Sequence, residues 1–565
     1  MAKKISEYKY ERANVEAARK FIGDAIAEVK NATDAKTLVA VRERVNRYVA
    51  DFSTIVYLAT IRHTLNVNDP FYAGEQNYYD ESLPALSATA AEFNKAIAQS
   101  PYFDGFKALV NPRIVDKMLA GLRVMDDRII EDCVEENKLV TQYDELMANV
   151  TYPWQGKNVT LSEMHGHCKN PDRSVRKAAF AVIGETLDGI SEKLDGIYDK
   201  LVKVRTRMAK KMGFDNYVEM GDLRMDHVGF GRKEVAVFRE SVLRDVVPVL
   251  SELKAELAQK LGIDRVHIYD NDVYVAGGNI DPVGSAKDMF AAAQEMYDDM
   301  DDKLGAFFKE MCDADAIDYI AREGKQGGGY AEMLYTYGQP FIFANFNGTM
   351  DDVGVLTHEF GHAYAFKRAY VNDIDYDIFI GGMEIAETHS MSMEALCNKY
   401  NDKFYGNRAR EATYQQIFDA LNFLPYGVIV DYFQQRVYEN PDMTPAERKA
   451  LWAELEKEYR PYVDMSDVAF YKNGGRWQYQ KHIYEVPFYY IDYCLSTCLA
   501  LQFGEKADAD FKGALAEYLR LVEAGGTKDI TTLAHEAGLK SPFDAGALSG
   551  LCKAVEKHIE RLGKK

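Results

Sequence analysis

Apolar side chains recur at intervals of three and four residues from residue 8 to about residue 211, which is the spacing of one face of an α-helix. Residues 35–58 and 174–212 show this pattern clearly. Helical spacing returns at about Asp351 and continues to the end of the chain. The sequence therefore predicts a mainly α-helical protein, without internal repeats or low-complexity segments.

A stretch in the middle of the chain departs from the helical pattern. Residues 266–278 alternate β-branched and aromatic side chains with polar ones, which is typical of a strand. Residues 324–333 contain the glycine-rich run GKQGGGY, which predicts turns. A further strand is predicted at residues 341–346. Together these segments predict a small β-sheet between two helical parts.

The bulk composition narrows the class of protein. The chain has 565 residues, 47% of them apolar and 28% charged, which fits a folded chain with more than one folding unit. A formal net charge of −20 argues against nucleic-acid binding, because such proteins concentrate positive charge. We find no signal-peptide pattern and no apolar run of about 18 residues, so we expect a cytoplasmic protein without membrane contacts.

Seven cysteines are scattered along the chain, and this odd number argues against a disulfide framework. Cys494 and Cys498 could share a helix face as metal ligands. No second Cys/His pair lies near them in the sequence, and their apolar neighbours favour buried thiols instead.

The run HEFGH, from His358 to His362, is the motif with the clearest chemistry. Residues four apart on a helix project from one face, so the two imidazoles can hold one zinc ion. Glu359 could accept a proton from a water on that zinc. Asp351 could cap this helix, which the apolar spacing predicts independently. The alternative is a pair of core histidines, but it leaves Glu359 buried without a partner, which is costly.

A catalytic zinc site needs a third protein ligand. A glycine pair at residues 381–382 interrupts the chain before a predicted helix that carries Glu384, Glu387 and Glu394. Glu387 and Glu394 share a helix face, so one could bind the metal while the other orients a ligand histidine. The residues alone are equally compatible with a solvated acidic face, and His389 is a competing ligand.

HEFGH and a glutamate 25 residues beyond its second histidine, inside the pattern EXXSXXXE, resemble the thimet oligopeptidase family of zinc metallopeptidases. The similarity is closest to its oligoendopeptidase F branch. GKQGGGY, FIFANFNGTMDDVGVL and HIYEVPFYYIDY extend it over most of the second half of the chain. The resemblance implies that one zinc ion is held by His358, His362 and Glu387, with Glu359 as catalytic base and Glu394 behind the ligands.

The same resemblance implies a fold and a substrate class. Relatives have a zincin-type catalytic domain with a small β-sheet, enclosed by a helical N-terminal half to form a deep channel that admits oligopeptides. On this chain the helical domain would span residues 1–200 and the catalytic domain residues 201–565. The strand at residues 341–346 would pair with the substrate backbone. His389 stands where many relatives have proline, a departure that concerns the local turn.

The segment HIYEVPFYYIDY offers donors for the oxyanion that develops when a peptide carbonyl is attacked. By similarity to the family, His482, Tyr489 and Tyr493 are the candidates. Tyr489 and Tyr493 are four residues apart on a predicted helix face. Aromatic core packing is the alternative in a chain with 37 tyrosines, and Tyr484 and Tyr490 stay open as donors.

The sequence as a whole predicts a zinc-dependent oligoendopeptidase that cuts internal bonds of short peptides, as a monomer or a homodimer. A zinc carboxypeptidase with the same motif is one alternative. A non-catalytic helical binding protein with an inert metal site is another, in which Glu359 would have no task.

Overall fold

The computed structural model describes residues 4–563, which form mostly helices. In chain order the helices are α1 (Val15–Lys30), α2 (Ala35–Leu65), α3 (Pro70–Ala98), α4 (Phe103–Lys107), α5 (Pro112–Val124), α6 (Ile130–Ala148), α7 (Leu161–Cys168), α8 (Arg173–Asp188), α9 (Ser191–Met212), α10 (Tyr217–Arg224), α11 (Arg232–Ser241), α12 (Val247–Leu261), α13 (Ala286–Met300), α14 (Asp302–Asp313), α15 (Asp351–Val371), α16 (Met383–Cys397), α17 (Asn401–Tyr405), α18 (Ala409–Glu439), α19 (Pro445–Tyr459), α20 (Ala469–Lys472), α21 (Lys481–Glu485), α22 (Tyr490–Ala509), α23 (Phe511–Ala524), α24 (Ile530–Glu536) and α25 (Ala547–Gly563). The strands are β1 (Tyr152–Trp154), β2 (Lys157–Val159), β3 (Ile317–Ile320), β4 (Tyr330–Leu334) and β5 (Gln339–Phe346). The prediction of a mainly α-helical protein with a small β-sheet is confirmed.

The helix boundaries follow local capping signals. α2 begins after Asp34, whose side chain accepts a hydrogen bond from the Thr37 N–H at 2.8 Å, and it continues past the predicted end at residue 58. The helical stretch predicted at residues 174–212 is divided into α8 and α9 at Gly189. α16 begins directly after the glycine pair, as predicted.

Three strands form the sheet near the HEFGH motif, and β5 is its central strand. β5 pairs with β3 in parallel and with β4 in antiparallel orientation. The strand predicted at residues 341–346 is therefore confirmed, but its expected pairing with a peptide is wrong, because a central strand is already flanked. The free edges of this sheet belong to β3 and β4, and β4 is the edge strand that packs against α15.

Residues 266–278 form no strand, contrary to prediction, and contain instead a 3₁₀ turn at Ile268–Asp270. The fully buried carboxylate of Asp270 pairs with Arg176 at 2.7 Å and accepts a hydrogen bond from the His267 N–H at 3.3 Å. These contacts fold the backbone into a turn with consecutive side chains buried. An alternating sequence pattern cannot reveal them, because Arg176 is remote in the sequence.

α15 begins at Asp351, so the predicted cap at this residue is wrong by one position, and Met350 occupies the cap. The Asp351 carboxylate forms an ion pair with Lys169 instead. Its neighbour Asp352 accepts a hydrogen bond from the Asn347 N–H at 2.9 Å and so joins β5 to the helix start. The apolar spacing identifies the helix. The turn between β5 and α15 determines which of the two aspartates binds the backbone at the N-terminus of the helix.

The largest apolar core gathers side chains from almost the whole described chain, from Ile5 to Ile559. Within it, α16 packs against both α15 and α22. A smaller core lies among α1 to α5. The domain boundary near residue 200 stays a prediction.

Among residues 4–563, each helix is too short or too polar to cross a membrane. Cys494 and Cys498 are buried on α22, and neither belongs to a group of three metal-binding side chains in this part of the chain.

Candidate active site

Two histidines of α15 and one glutamate of α16 converge on one point. The side chains are His358, His362 and Glu387, and their potential ligand atoms lie within 4.8 Å of one another. Oε2 of Glu387 lies 3.2 Å from Nε2 of His358 and 3.4 Å from Nε2 of His362. Among residues 4–563, this is the one group of three His, Cys, Asp or Glu side chains with the geometry to hold a metal ion.

Gly361 allows α15 and α16 to approach closely enough for this convergence. A Cβ atom at this position would lie 2.7 Å from Cα of Ser390 and 2.9 Å from the carbonyl oxygen of His389. Any larger residue would separate the helices, and Glu387 would move away from the histidines. The glycine inside HEFGH thus has a packing role that the sequence did not reveal.

Neighbouring groups orient the converging side chains. Nδ1 of His358 is 2.7 Å from Oε1 of Glu394, which turns Nε2 of the same ring toward Glu387. Tyr489 donates a hydrogen bond to Oε1 of Glu387, and the Ser390 hydroxyl donates to Oε2 at 3.0 Å. Burial alone raises the pKa of Glu387, but the charges and hydrogen bonds of His362 and His358 hold that pKa well below its ordinary value.

The competing ligands considered from the sequence lie elsewhere. Glu384 is fully buried with no hydrogen-bond partner for its carboxylate among the described residues. Burial and the nearby Asp492 raise the pKa of Glu384 to about 8. His389 is also buried, its pKa lowered to about 3 by burial. Neither side chain belongs to the converging group.

Glu359 lies beside the converging group without being part of it. Its side chain is only 5% exposed, and within residues 4–563 its Oε2 has no hydrogen-bond partner. Burial raises its pKa above the ordinary value. A Cβ atom on Gly329, just before β4, would lie 3.1 Å from Oε1 of Glu359, so this glycine keeps space free beside the carboxylate.

The predicted oxyanion donors form a cluster at the start of α22. The Tyr493 hydroxyl is 3.4 Å from Nε2 of His482, and the rings of Tyr489 and Tyr493 are 5.0 Å apart. Through its hydrogen bond to Glu387, Tyr489 links the cluster to the converging group. Tyr484 points away, because it is fully buried and stacks on Tyr143.

Gln480 fixes the proton of His482, a role that the sequence analysis missed. The Tyr426 hydroxyl donates to Oε1 of Gln480 at 2.6 Å, and the amide nitrogen lies 2.9 Å from Nδ1 of His482. Because an amide nitrogen only donates, Nδ1 accepts, and the neutral ring carries its proton on Nε2. Burial lowers the pKa of His482 to about 4, so the ring stays neutral at pH 7. Nε2–H is thereby held as a donor toward Tyr493.

The site opens into a cavity of about 880 Å³. Helix α15 forms one wall of the cavity with Val355, His358 and Glu359. Phe423 of α18 lies on the lining as well. The Glu359 side chain therefore borders an open space.

Comparison with known proteins agrees with this geometry. Residues 167–551 match the description "Peptidase family M3", and residues 5–125 match "Peptidase M3 N-terminal domain". The chain belongs to peptidase family M3. Its relatives place this M3 chain in the oligoendopeptidase F branch, which confirms the resemblance seen in the sequence.

Oligopeptidase PepF of Bacillus subtilis is 21% identical over 74% of this M3 chain. The chain spans 62% of that relative's length. A solved structure of PZ peptidase A with an inhibitor is 35% identical, with a TM-score of 0.96 and 99% of each chain covered. An oligoendopeptidase F structure from Bacillus anthracis is 33% identical, with a TM-score of 0.91, 99% of this chain and 98% of that one covered.

Proposed function

We propose that this M3 chain is a zinc-dependent oligoendopeptidase that hydrolyses internal bonds of short peptides. The observation that carries the proposal is the convergence of His358, His362 and Glu387 beside Glu359, whose buried Oε2 has no hydrogen-bond partner in the described part of the chain. A binding protein has no need to keep such a carboxylate buried without a partner, since its burial is costly.

The donor set fits zinc. Two imidazoles and one carboxylate are a ligand set of catalytic zinc sites, which leave a position open for water or substrate. His358 has its Nδ1 engaged by Glu394, so its Nε2 is free to bind a metal. A zinc ion held by His358, His362 and Glu387 would act as a Lewis acid toward water and toward a peptide carbonyl.

Glu359 would act as the general base. Its unpartnered oxygen is available to accept a proton from the attacking water. Once protonated, this carboxyl can pass the proton to the leaving amine. The same residue therefore serves both proton transfers.

Tyr493 and His482 would stabilise the developing oxyanion, because both present hydrogen-bond donors beside the ligands. Tyr489 is instead assigned to orient Glu387, since its hydroxyl is already donated to that carboxylate. The edge strand β4 would align the peptide backbone by strand addition, which gives affinity with little sequence preference.

End-blocked peptides of about ten residues test the reaction class. The expected result is cleavage at internal bonds, because the proposal requires no free terminus for catalysis. Removal of single residues from free-ended peptides, with blocked peptides resistant, would instead favour a carboxypeptidase. Mass spectrometry of the products separates the two outcomes.

Tyr493→Phe is expected to lower kcat by about 10²-fold, because a donor to the oxyanion is lost. KM and zinc content should change little.

Tyr489→Phe should instead weaken zinc affinity by roughly 10-fold or more, since it frees Glu387. Tyr484→Phe is the matched control and should behave as wild type. A larger kcat loss in Tyr489→Phe, with zinc retained, would exchange the two roles.

Gln480→Glu is expected to lower kcat and to shift the acidic limb of its pH profile upward. A carboxylate at this position accepts a hydrogen bond from Nδ1–H, so the neutral ring of His482 loses its Nε2–H donor, and the nearby negative charge makes the ring easier to protonate. The matched control is Gln259→Glu, an exposed position of α12. An unchanged pH profile in Gln480→Glu, with reduced stability alone, would limit Gln480 to a packing role.

A further inference from the structure

Arg476 is a partly buried cation that lacks an acidic partner. Within residues 4–563, no carboxylate lies within ion-pair distance of its guanidinium, and one of its terminal nitrogens is enclosed without any hydrogen bond. Other cations on the same cavity wall are paired, Arg460 with Glu456 at 2.9 Å and Lys169 with Asp351. A guanidinium without an acceptor is costly unless something supplies one.

Tyrosine rings hold this guanidinium by its faces. Its central carbon lies 4.1 Å from the ring centre of Tyr479 and 5.0 Å from that of Tyr426. Such contacts stabilise the positive charge but leave the in-plane N–H groups without acceptors. The planar fork of N–H donors is the shape that matches a carboxylate. The two tyrosine rings thus orient the guanidinium but do not accept its in-plane hydrogen bonds.

The cavity in front of Arg476 adjoins the active-site cavity. It has a volume of about 350 Å³, and the two cavities share Met350, Asp351, Asp419 and Phe423 in their linings. The ring of Phe423 also meets Tyr493 edge to face, with 6.3 Å between ring centres. A peptide that passes the oxyanion donors can therefore continue along Phe423 to Arg476.

The acidic groups of the smaller cavity are already engaged. Tyr274 donates to Asp419, and Asn271 donates to Asp272 at 2.5 Å. Burial raises the pKa of Asp419 to about 6, so this carboxyl is partly protonated only in mildly acidic solution. The charge of Asp351 is balanced by Lys169. Arg476 is thus the group of this cavity that is left to attract an anion.

We propose that Arg476 binds a carboxylate of the peptide substrate and so anchors the peptide at a fixed distance from the cut bond. The proposal rests on the proposed peptidase function. The carboxylate can be the peptide's C-terminus or an acidic side chain, because both offer the same two oxygens. In either case the anchor makes the position of cleavage depend on the position of the charge.

Three kinds of N-acetylated peptide, built on one parent sequence without acidic residues, test the proposal. They are the parent as a free C-terminal acid, the parent as a C-terminal amide, and a series of amides in which a single glutamate is moved along the chain. KM and kcat are measured for wild type, Arg476→Gln and the control Arg244→Gln, whose side chain is 62% exposed. Dissociation constants are measured in parallel with Glu359→Gln, so that binding is read without turnover.

Wild type is expected to bind the peptide with a carboxylate roughly 10- to 100-fold more tightly than the neutral amide. Arg476→Gln should abolish this preference, and Arg244→Gln should keep it. A preference for the free acid alone identifies the C-terminus as the ligand. Rescue by glutamate at one position of the amide identifies a side chain.

Equal binding of the neutral amide, the free acid and every glutamate-containing amide by wild type overturns the proposal, and so does a preference for a carboxylate that survives in Arg476→Gln. If Arg476→Gln fails to fold, the wild-type comparison and Arg476→Lys, which should keep part of the preference, still decide. Carboxylate-dependent binding without any hydrolysis would uphold Arg476 as the anchor and reject the peptidase function. Hydrolysis without carboxylate dependence would uphold the peptidase function and reject Arg476 as the anchor.

Discussion

Glu359→Gln is expected to lower kcat on an end-blocked peptide by about 10³-fold while zinc stays bound. Glutamine has the shape of glutamate but cannot accept a proton, so both proton transfers lose their carrier. The metal should remain, because Glu359 is not one of the three converging side chains. Hydrolysis rates and zinc content of the purified variant are the two measurements.

The matched control is Glu439→Gln, the same substitution at an exposed position near the end of α18. It should leave both quantities unchanged. Full activity in Glu359→Gln would remove the general base from the mechanism and favour a binding protein with an inert site. A loss of activity together with the zinc would instead mean that Glu359 supports the metal.

The existence of helix α15 was predictable from the local spacing of its residues alone. Two histidines four residues apart require a helix to face one ion, and α15 provides it. Glu387 and Glu394 were predicted to share a face, and the structure places His358 between them, with one ring nitrogen toward each. The choice of Glu387 over Glu384 and His389 came from the family pattern. Helical periodicity alone does not distinguish a buried carboxylate from one that faces a metal.

The features that were mispredicted depend on contacts between distant segments. β5 is the central strand because β3 and β4 pair with its two edges. The alternation of residues 341–346 predicts a strand but does not show which strands lie beside it. The turn at Ile268–Asp270 depends on a buried ion pair with Arg176. The support of His482 by Gln480 depends on Tyr426, which lies on another helix.

Gly361 shows the same limit within the motif itself. Its role follows from the crossing of α15 and α16, where a Cβ atom would meet the Ser390 backbone. A glycine in the interior of a helix normally weakens that helix. The cost is understandable only when the second helix is seen, since its approach delivers Glu387 to the histidines.

Glu387→Ala is expected to lose both zinc and activity. The substitution removes one of three ligands and also leaves the Tyr489 and Ser390 hydroxyls without their acceptor. A change in groups behind metal ligands typically costs 10- to 100-fold in affinity, so loss of a ligand itself should weaken zinc binding by roughly 100-fold or more. Zinc content after dialysis against a weak chelator, and activity after zinc is added back, are the measurements.

Two further variants make the result specific to the metal site. Glu394→Gln keeps all three ligands and alters only the hydrogen bond to His358, so its loss of zinc affinity should be the smaller. Glu384→Gln should keep its zinc, because this carboxyl lies outside the converging group and its raised pKa makes it neutral already. Thermal unfolding of each variant separates loss of metal from loss of fold.

The order of the three zinc affinities identifies the third ligand. If Glu387 is the ligand, zinc affinity should fall most in Glu387→Ala, less in Glu394→Gln and least in Glu384→Gln. Wild-type zinc content in Glu387→Ala would remove Glu387 from the ligand set and leave Glu384, Glu394 or His389 as the third ligand. That outcome would require a different packing of α16, because the Gly361 contact holds its Glu387 face toward both histidines.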